Sequence, residues 1–181
     1  ALSSAASDVY KRQMVENSLG RLWMLNNPGS SLRERMEYYI EPDAGHEDFI
    51  RISSPEEITL CDPACGSGHI LVYAFELLFA MYEERGYRER EIPELILTKN
   101  LAGMEIDPRA AQIAELALAM CAREHDRRFF RRGVRADVTV LTSIPLGEDE
   151  LPRNKKLAEE LSHLGEIGSL LNPSELSLIH I

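Results

Sequence analysis

The sequence predicts an α/β domain of the Rossmann type, with parallel strands in the order 3-2-1 and helices beside them. Three observations support this class. An apolar run over 58–61 ends in a glycine-rich turn and leads into a long apolar helix pattern over 70–84. A second apolar stretch over 100–106 leads into an amphipathic helix pattern over 108–123, and alternating valines over 136–141 follow. Strands that alternate with helices in this way are typical of a parallel sheet.

Composition and charge limit the functions that the chain could have. The chain has 181 residues, of which 44% are apolar, and its net charge is −10. A nucleic-acid-binding surface needs clustered Lys and Arg, so the chain is not expected to bind DNA by itself. Three cysteines without a leader-like segment favour the reducing cytoplasm. The longest apolar stretch is too short to span a membrane, and Cys61 and Cys65 lack the partner pair of a metal site, so neither membrane nor metal is expected.

The ends of the chain differ from its middle. Residues 1–13 and 174–181 resemble translated adapter DNA, and we expect both segments to be non-native. Between them we expect a helical region with a loop over 14–57 and a cofactor-binding half-domain over 58–173. On this interpretation the chain is a fragment of a larger domain.

Two helices are predicted in the helical region. Apolar residues recur at a helix period over 14–23, and the turn residues of 26–30 end that pattern. Ser31 is predicted to cap a second helix over 32–40. In the later amphipathic helix, the side chains predicted to point inward are those of Ile113, Leu116, Ala117 and Met120.

The turn after the first strand carries the chemistry. It reads Asp62-Pro63-Ala64-Cys65-Gly66-Ser67-Gly68. Glycines take positive φ without strain and let a ligand approach the backbone, and the N–H groups of the following helix face that ligand. This is a site for a nucleotide-like molecule at the carboxyl end of a strand. The alternative is a plain turn without a ligand.

The type of nucleotide follows from what the turn lacks. Leu71 stands where the dinucleotide fingerprint needs its third glycine, and no Gly-Lys-Ser/Thr occurs here. The Asp62 carboxylate would repel a phosphate and attract a cation or hydroxyls. S-adenosylmethionine (SAM) has a sulfonium, an amino group and ribose hydroxyls but no phosphate, so it is the favoured cofactor.

The second strand ends in a further acidic group, Glu105-Ile106-Asp107-Pro108. Asp107 is predicted to cap the next helix, with Pro108 in its first position. In dinucleotide folds an acid at this place accepts hydrogen bonds from ribose hydroxyls. The alternative role for Glu105 is that of a helix-dipole partner.

The glycine turn resembles motif I of the amino-methylating DNA methyltransferases, the N6-adenine kind of type I and type IIG restriction-modification enzymes. The run 62–84, with 103–110 and 16–23, most resembles PglX-like methyltransferases of BREX phage-defence systems, and the resemblance covers about residues 14–173. It implies an incomplete class I methyltransferase domain that binds SAM through the glycine turn. The helical region would be motif X, at the methionine end of the cofactor.

The resemblance also assigns residues beyond the turn. It places Glu105 on the ribose and Ile106 against the adenine, and leaves Asp107 mainly as a helix cap. Asp137, near the start of the third strand, is the candidate for the acid beside the adenine amino group.

The parent enzyme implied by the resemblance transfers methyl from SAM to N6 of adenine in DNA, for restriction-modification or phage defence. Its catalytic Asn/Asp/Ser-Pro-Pro-aromatic motif is missing, because Asn172-Pro173-Ser174-Glu175 lacks the second proline and the aromatic residue. We therefore assign no catalytic residue and expect the chain alone to be inactive. DNA would be held by regions outside it, with defence-system proteins as further partners.

Other functions stay open at this point. The parent could methylate an amine of a protein or of RNA, or the chain could belong to a non-catalytic SAM-binding module. The segment 123–135 carries six arginines around Phe129 and Phe130. It could contact a DNA backbone. A solvated helix end, where cations suit the dipole, is the favoured interpretation.

Overall fold

Three parallel strands form the sheet: β1 (Leu60–Asp62), β2 (Leu101–Glu105) and β3 (Asp137–Val140). The computed structural model describes residues 2–42 and 49–141, and predictions for 142–181 lie outside this part of the chain. The central strand β2 pairs in parallel with β1 on one side and β3 on the other. The predicted class and the strand order 3-2-1 are confirmed.

Helices account for most of the remaining described residues, and none of them is long and apolar enough to cross a membrane. A nearly continuous N-terminal helix is followed by single turns and by the helices that connect the strands. In chain order the elements are α1 (Leu2–Val15), a π-turn (Glu16–Gly20), α2 (Arg21–Asn26), a 3-10 turn (Ser31–Arg35), a 3-10 turn (Pro55–Glu57), α3 (His69–Glu84), α4 (Ile92–Leu95), a π-turn (Ile96–Asn100), α5 (Pro108–His125) and a 3-10 turn (Phe129–Arg131).

The helices α3 and α5 cover one face of the sheet. They contact each other and strand β2, as expected for crossovers that both run in the same direction along the sheet. Helix α3 is apolar nearly all round, and it buries Phe75, Leu78 and Tyr82 completely. On the other face the side chains of Cys61 and Met104 are exposed. The apolar run over 58–61 predicts a buried first strand, and this prediction is wrong at Cys61, because the described chain covers only one face of the sheet there.

The rotation of α5 differs from the prediction. The residues expected inside are largely outside: Ile113 is 54% exposed, Leu116 60% and Met120 50%. The reason is the distance between α5 and the glycine turn, since a Cβ added at Gly68 would lie only 2.9 Å from the Cβ of Ala114. Large side chains do not fit at this distance, so the inner face consists of Ala111, Ala114, Leu118 and Ala122.

The predicted helix over 32–40 is only a short turn. Its cap is Ser30 rather than Ser31, because the Ser30 hydroxyl accepts a hydrogen bond from the Leu32 N–H at 3.1 Å. The turn ends at Arg35, and the backbone of Met36 is extended. Residues 37–38 form a further turn, and side chains of the N-terminal helical segment hydrogen-bond to the backbone of 38–40, which offers it an alternative to helical hydrogen bonds.

Those side chains belong to the segment 16–23, on which part of the resemblance was based. The buried Glu16 carboxylate accepts hydrogen bonds from the Tyr38 N–H and from the Tyr73 hydroxyl, both at 2.5 Å. Asn17 donates to the Tyr38 carbonyl at 2.9 Å and accepts from the Ile40 N–H at 2.8 Å. These polar residues thus join the N-terminal helical segment to the backbone of 38–40 and to α3.

The predicted N-terminal helix over 14–23 is present but begins much earlier, at Leu2. It ends at Asn26, where the predicted turn residues begin. Whether residues 1–13 are native to the protein stays a prediction.

Candidate cofactor-binding site

The glycine turn connects β1 to α3 at the carboxyl ends of β1 and β2. The Cys65 N–H donates to the Met104 carbonyl at 2.9 Å, which joins the turn to the neighbouring strand β2. The Gly68 N–H donates to the Cys65 carbonyl at 2.8 Å and closes the turn. The location is the one expected for ligand sites in open α/β sheets.

Both glycines of the turn have left-handed backbone conformations. The φ angle is +54° at Gly66 and +82° at Gly68, a region that costs other residues energy. Gly68 precedes the first residue of α3 and packs against Ala114 of α5. Gly68 therefore needs to be glycine both for its conformation and for its lack of a side chain.

Asp62 supplies the most informative atom of the site. The residue is 8% exposed, and its Oδ1 accepts a hydrogen bond from the Ala64 N–H at 3.1 Å. Its Oδ2 is buried, and among the described residues no group donates to it. Buried polar atoms are almost always paired, so this oxygen is suited to accept a hydrogen bond from a ligand.

A cavity of about 290 Å³ adjoins Asp62 at the outer side of β1. It lies between the start of the turn and the N-terminal helix. Its lining residues are Met14, Val15, Ser18, Leu60, Cys61, Asp62, Pro63 and Ile70. The helical region thus lies beside the turn, as motif X was expected to do.

Glu105, at the end of β2, reaches back to the glycine turn. Its Oε2 accepts a hydrogen bond from the Gly66 N–H at 2.7 Å. Its Oε1 accepts from the N–H groups of Ile106 and Asp107, each at 2.9 Å. Backbone hydrogen bonds, first from Asp107 and then from Gly66, lower the pKa of the Glu105 carboxyl below its usual value. The sequence places Glu105 near the turn but gives no sign of the bond to Gly66.

The residues after Glu105 take different positions. The Ile106 side chain is 75% exposed at the edge of the site. Asp107 caps α5 as predicted, because its Oδ1 accepts from the Arg109 N–H at 2.9 Å, and Pro108 is the first residue of that helix.

Asp137 does not join these residues. It begins β3 and pairs with Ala102, whereas Glu105 pairs with Val140. Three residues along a strand span about 10 Å, so Asp137 lies well below the edge at which the turn and Glu105 meet. The strand thus carries this acid at its first residue rather than its last, and the role of Asp137 beside the adenine stays a prediction.

The other members of the turn divide by exposure. Pro63 and Ala64 are exposed and Ser67 is half-buried, whereas Cys65 is 6% exposed. The Cys65 thiol packs beneath the turn against Gly103, where an added Cβ would lie 3.1 Å from Sγ. Burial, and then the charges of Asp62 and Glu105, raise the pKa of this thiol. Cys65 is therefore a packing residue that positions the turn.

The arginine-rich segment lies at the other end of α5. Arg132 is occupied by structural contacts, since it pairs with Asp126 at 2.7 Å and with Glu94 at 2.9 Å. Gly68 of the glycine turn packs against Ala114, and the 11 residue steps from Ala114 to His125 put about 17 Å of helix between the turn and the end of α5. At Arg132 the arrangement favours structural ion pairs over a nucleic-acid contact.

Comparison with known protein families adds the decisive observation. Residues 51–151 match the family described as MmeI, DNA-methyltransferase domain. The chain belongs to this family. The match contains the glycine turn and the acidic end of β2, so the described geometry belongs to an MmeI-type methyltransferase domain.

Individual relatives agree with this assignment. The adenine-specific methyltransferase BrxX of Escherichia coli O9:H4 (strain HS) is 48% identical over 136 residues, which are 71% of this chain and 11% of that protein. The adenine-specific methyltransferase PglX of Lacticaseibacillus casei (strain Zhang) is 35% identical over 188 residues, 91% of this chain and 16% of that protein. The resemblance to PglX-like methyltransferases is thus confirmed.

A more distant relative has a composite name. The putative type II restriction enzyme and methyltransferase RM.MjaORFECS2P of Methanocaldococcus jannaschii is 28% identical over 120 residues, 61% of this chain and 10% of that protein. The chain spans between 10% and 16% of the length of these three relatives.

Proposed function

We propose that this MmeI-type domain is the SAM-binding part of a DNA methyltransferase that modifies N6 of adenine. The family supports methyl transfer to DNA, and two relatives carry the name adenine-specific methyltransferase. Among the described atoms, the unpartnered Oδ2 of Asp62 beside the glycine turn carries the proposal for the cofactor.

The donor set of the site fits SAM better than a dinucleotide. Asp62 places a buried carboxyl group at the start of the glycine turn, where it would repel a pyrophosphate. A sulfonium and an amino group are both positively charged, so the same carboxyl group would attract them. The buried Oδ2 of Asp62 would then gain the donor that it lacks.

Each residue of the turn would have a defined part. Asp62 would accept a hydrogen bond from the amino group of the cofactor, and Glu105 would accept one from its ribose. Ile106 would lie against the adenine, and the glycines would leave room for a close approach. When bound, SAM supplies the activated methyl group, and the contribution of these residues is to position it.

The biological setting that we propose is restriction-modification or phage defence. One relative carries restriction enzyme in its name, and the resemblance to PglX-like proteins points to defence systems. Because the chain is a small part of each relative's length, DNA binding and the recognition of other defence proteins are assigned to regions outside it.

The cofactor proposal is tested by isothermal titration of the chain with SAM. We expect Asp62→Asn to weaken binding by about tenfold or more, because one oxygen acceptor is replaced by an amide donor. Asp107→Asn is the matched control, since Asn also caps helices and should leave the affinity unchanged. Binding of NAD in place of SAM, or equal affinities of the Asp62→Asn variant and the wild type, would contradict the proposal.

The target proposal is tested in cells that express the complete source gene. Sequencing of host DNA should reveal N6-methyladenine at one recurrent site, and the Asp62→Asn variant should remove it. Methyl label recovered in protein or RNA, with none in DNA, would instead assign the enzyme to another amine.

A further inference from the structure

We infer that Glu105 fastens the glycine turn in its binding conformation before the cofactor arrives. The inference concerns the free protein, so it holds or fails independently of the proposed function. Glu105 would thus be a positioning residue for the turn.

The acceptor positions of Glu105 are mostly filled. An ionised carboxylate offers about four positions for hydrogen-bond donors. Oε1 already receives the N–H groups of Ile106 and Asp107, and Oε2 receives that of Gly66. One position remains on Oε2, so about three of the four are occupied before any ligand binds.

Gly66 depends on this contact more than Gly68 does. A Cβ added at Gly68 would touch Ala114, so packing holds that residue in place. At Gly66 no atom of the described chain lies within 4 Å of the corresponding position, although its φ of +54° belongs to the left-handed region. A side chain at Gly66 would thus have room, and the hydrogen bond from the Gly66 N–H to Glu105 is the contact that ties this residue to the end of β2.

The three donors also explain why the residue is an acid. All three are backbone N–H groups, which only an acceptor can satisfy, and hydrogen bonds to an ionised carboxylate are stronger than those to a neutral group. A glutamine has one acceptor oxygen, and its amide nitrogen cannot accept. Glu105→Gln must consequently lose either the contact with Gly66 or the contacts at the start of α5.

The fastening is tested by amide hydrogen exchange on the ligand-free chain, read by NMR at single residues. In Glu105→Gln we expect the Gly66 amide to exchange about fivefold faster or more. The Cys65 amide is the internal control, because it donates to Met104 and not to Glu105. The Asp107→Asn variant, which keeps every backbone donor, should match the wild type.

Three outcomes are possible in this experiment. Loss of protection at Gly66, with Cys65 still protected, supports the inference and shows that the variant remains folded. Unchanged protection at Gly66, both in Glu105→Gln and in Glu105→Ala, which has no side-chain acceptor, overturns the fastening. If both amides lose protection through unfolding, Glu105→Asp replaces the variant, because its shorter side chain keeps the charge but should withdraw from Gly66.

Discussion

At the scale of single residues, Gly68 is the position with the least freedom. Its φ of +82° disfavours any side chain, and an added Cβ would also lie 3.0 Å from the Cα of Ala114. We expect Gly68→Ala to destabilise the chain by about 2–4 kcal/mol, from left-handed strain and from overpacking together. Urea unfolding measures this difference.

Gly66 provides the matched control for that substitution. It shares the positive φ, but no described atom lies within 4 Å of an added Cβ. Gly66→Ala should therefore cost only the conformational strain, about 1 kcal/mol. Equal losses for the two variants would show that contact with Ala114 is not what constrains Gly68.

Glu84 is a second residue whose contribution can be predicted, in this case its contribution to the pH dependence of stability. Its carboxylate receives the hydroxyls of Ser30 and Ser31 and the indole N–H of Trp23. Burial raises the pKa of Glu84, but these hydrogen bonds outweigh burial, so the pKa lies below its ordinary value. The stabilisation from these hydrogen bonds is therefore fully present at pH values above the unfolded-state pKa of about 4.3. It is lost as the pH falls through the lower pKa of the folded state.

This dependence is measured by unfolding the chain at several values between about pH 6 and about pH 3. The wild type should lose more stability over this range than Glu84→Gln, which cannot titrate. Glu83→Gln is the control, because Glu83 is exposed and its nearest cation, on Arg35, is 3.9 Å away. A Glu84→Gln variant with the same acid sensitivity as the wild type would exclude this role.

At the scale of elements, α5 is a helix whose existence the sequence predicts but whose inward-facing side it does not. The apolar period and the Asp107-Pro108 start correctly give a helix, because both are local signals. They give the wrong face, because the choice between Ile113 and Ala114 as the inner residue depends on the glycine turn of another segment. A stripe of large apolar residues normally points inward, and here the close approach of two backbones overrides that rule.

The rotation of α5 is tested by truncating one leucine on each face. Leu118 is 1% exposed, and Leu118→Ala should cost about 2–4 kcal/mol of stability. Leu116 is 60% exposed, and Leu116→Ala should stay within about 0.5 kcal/mol of the wild type. Chemical denaturation distinguishes the two faces, and the reverse order of losses would restore the orientation predicted from sequence.

The candidate site could be predicted in its parts but not in its contacts. The glycine turn, Asp62 and Glu105 are all visible in the sequence, because each stands at the end of an apolar run. The hydrogen bond between Gly66 and Glu105 is not visible, because it depends on the register of two strands. The distance of Asp137 from the turn is not visible in the sequence for the same reason, since the position of a residue along the sheet is set by strand pairing.

At the scale of the whole molecule, charge governs what the chain can bind. The net charge of −10 opposes the approach of a polyanion, although six arginines are grouped near the end of α5. We expect no retardation of duplex DNA by this chain in gel-shift assays at about physiological salt. Complete source protein should shift the same DNA. Specific, salt-sensitive binding by the chain alone would mean that the arginine segment acts as a nucleic-acid contact.

Because the chain is synthesised from its N-terminus, the hydrogen bond between Gly66 and Glu105 can form only after both residues have been made. The two residues are separated by 39 positions, and the Cys65 N–H likewise depends on Met104 of the later strand. A ribosome therefore completes the motif well before it completes the groups that hold it. During translation the turn remains unfastened until β2 has emerged and paired with β1. Any affinity for the cofactor would then arise with that pairing, so cofactor capture would report that the nascent sheet has formed.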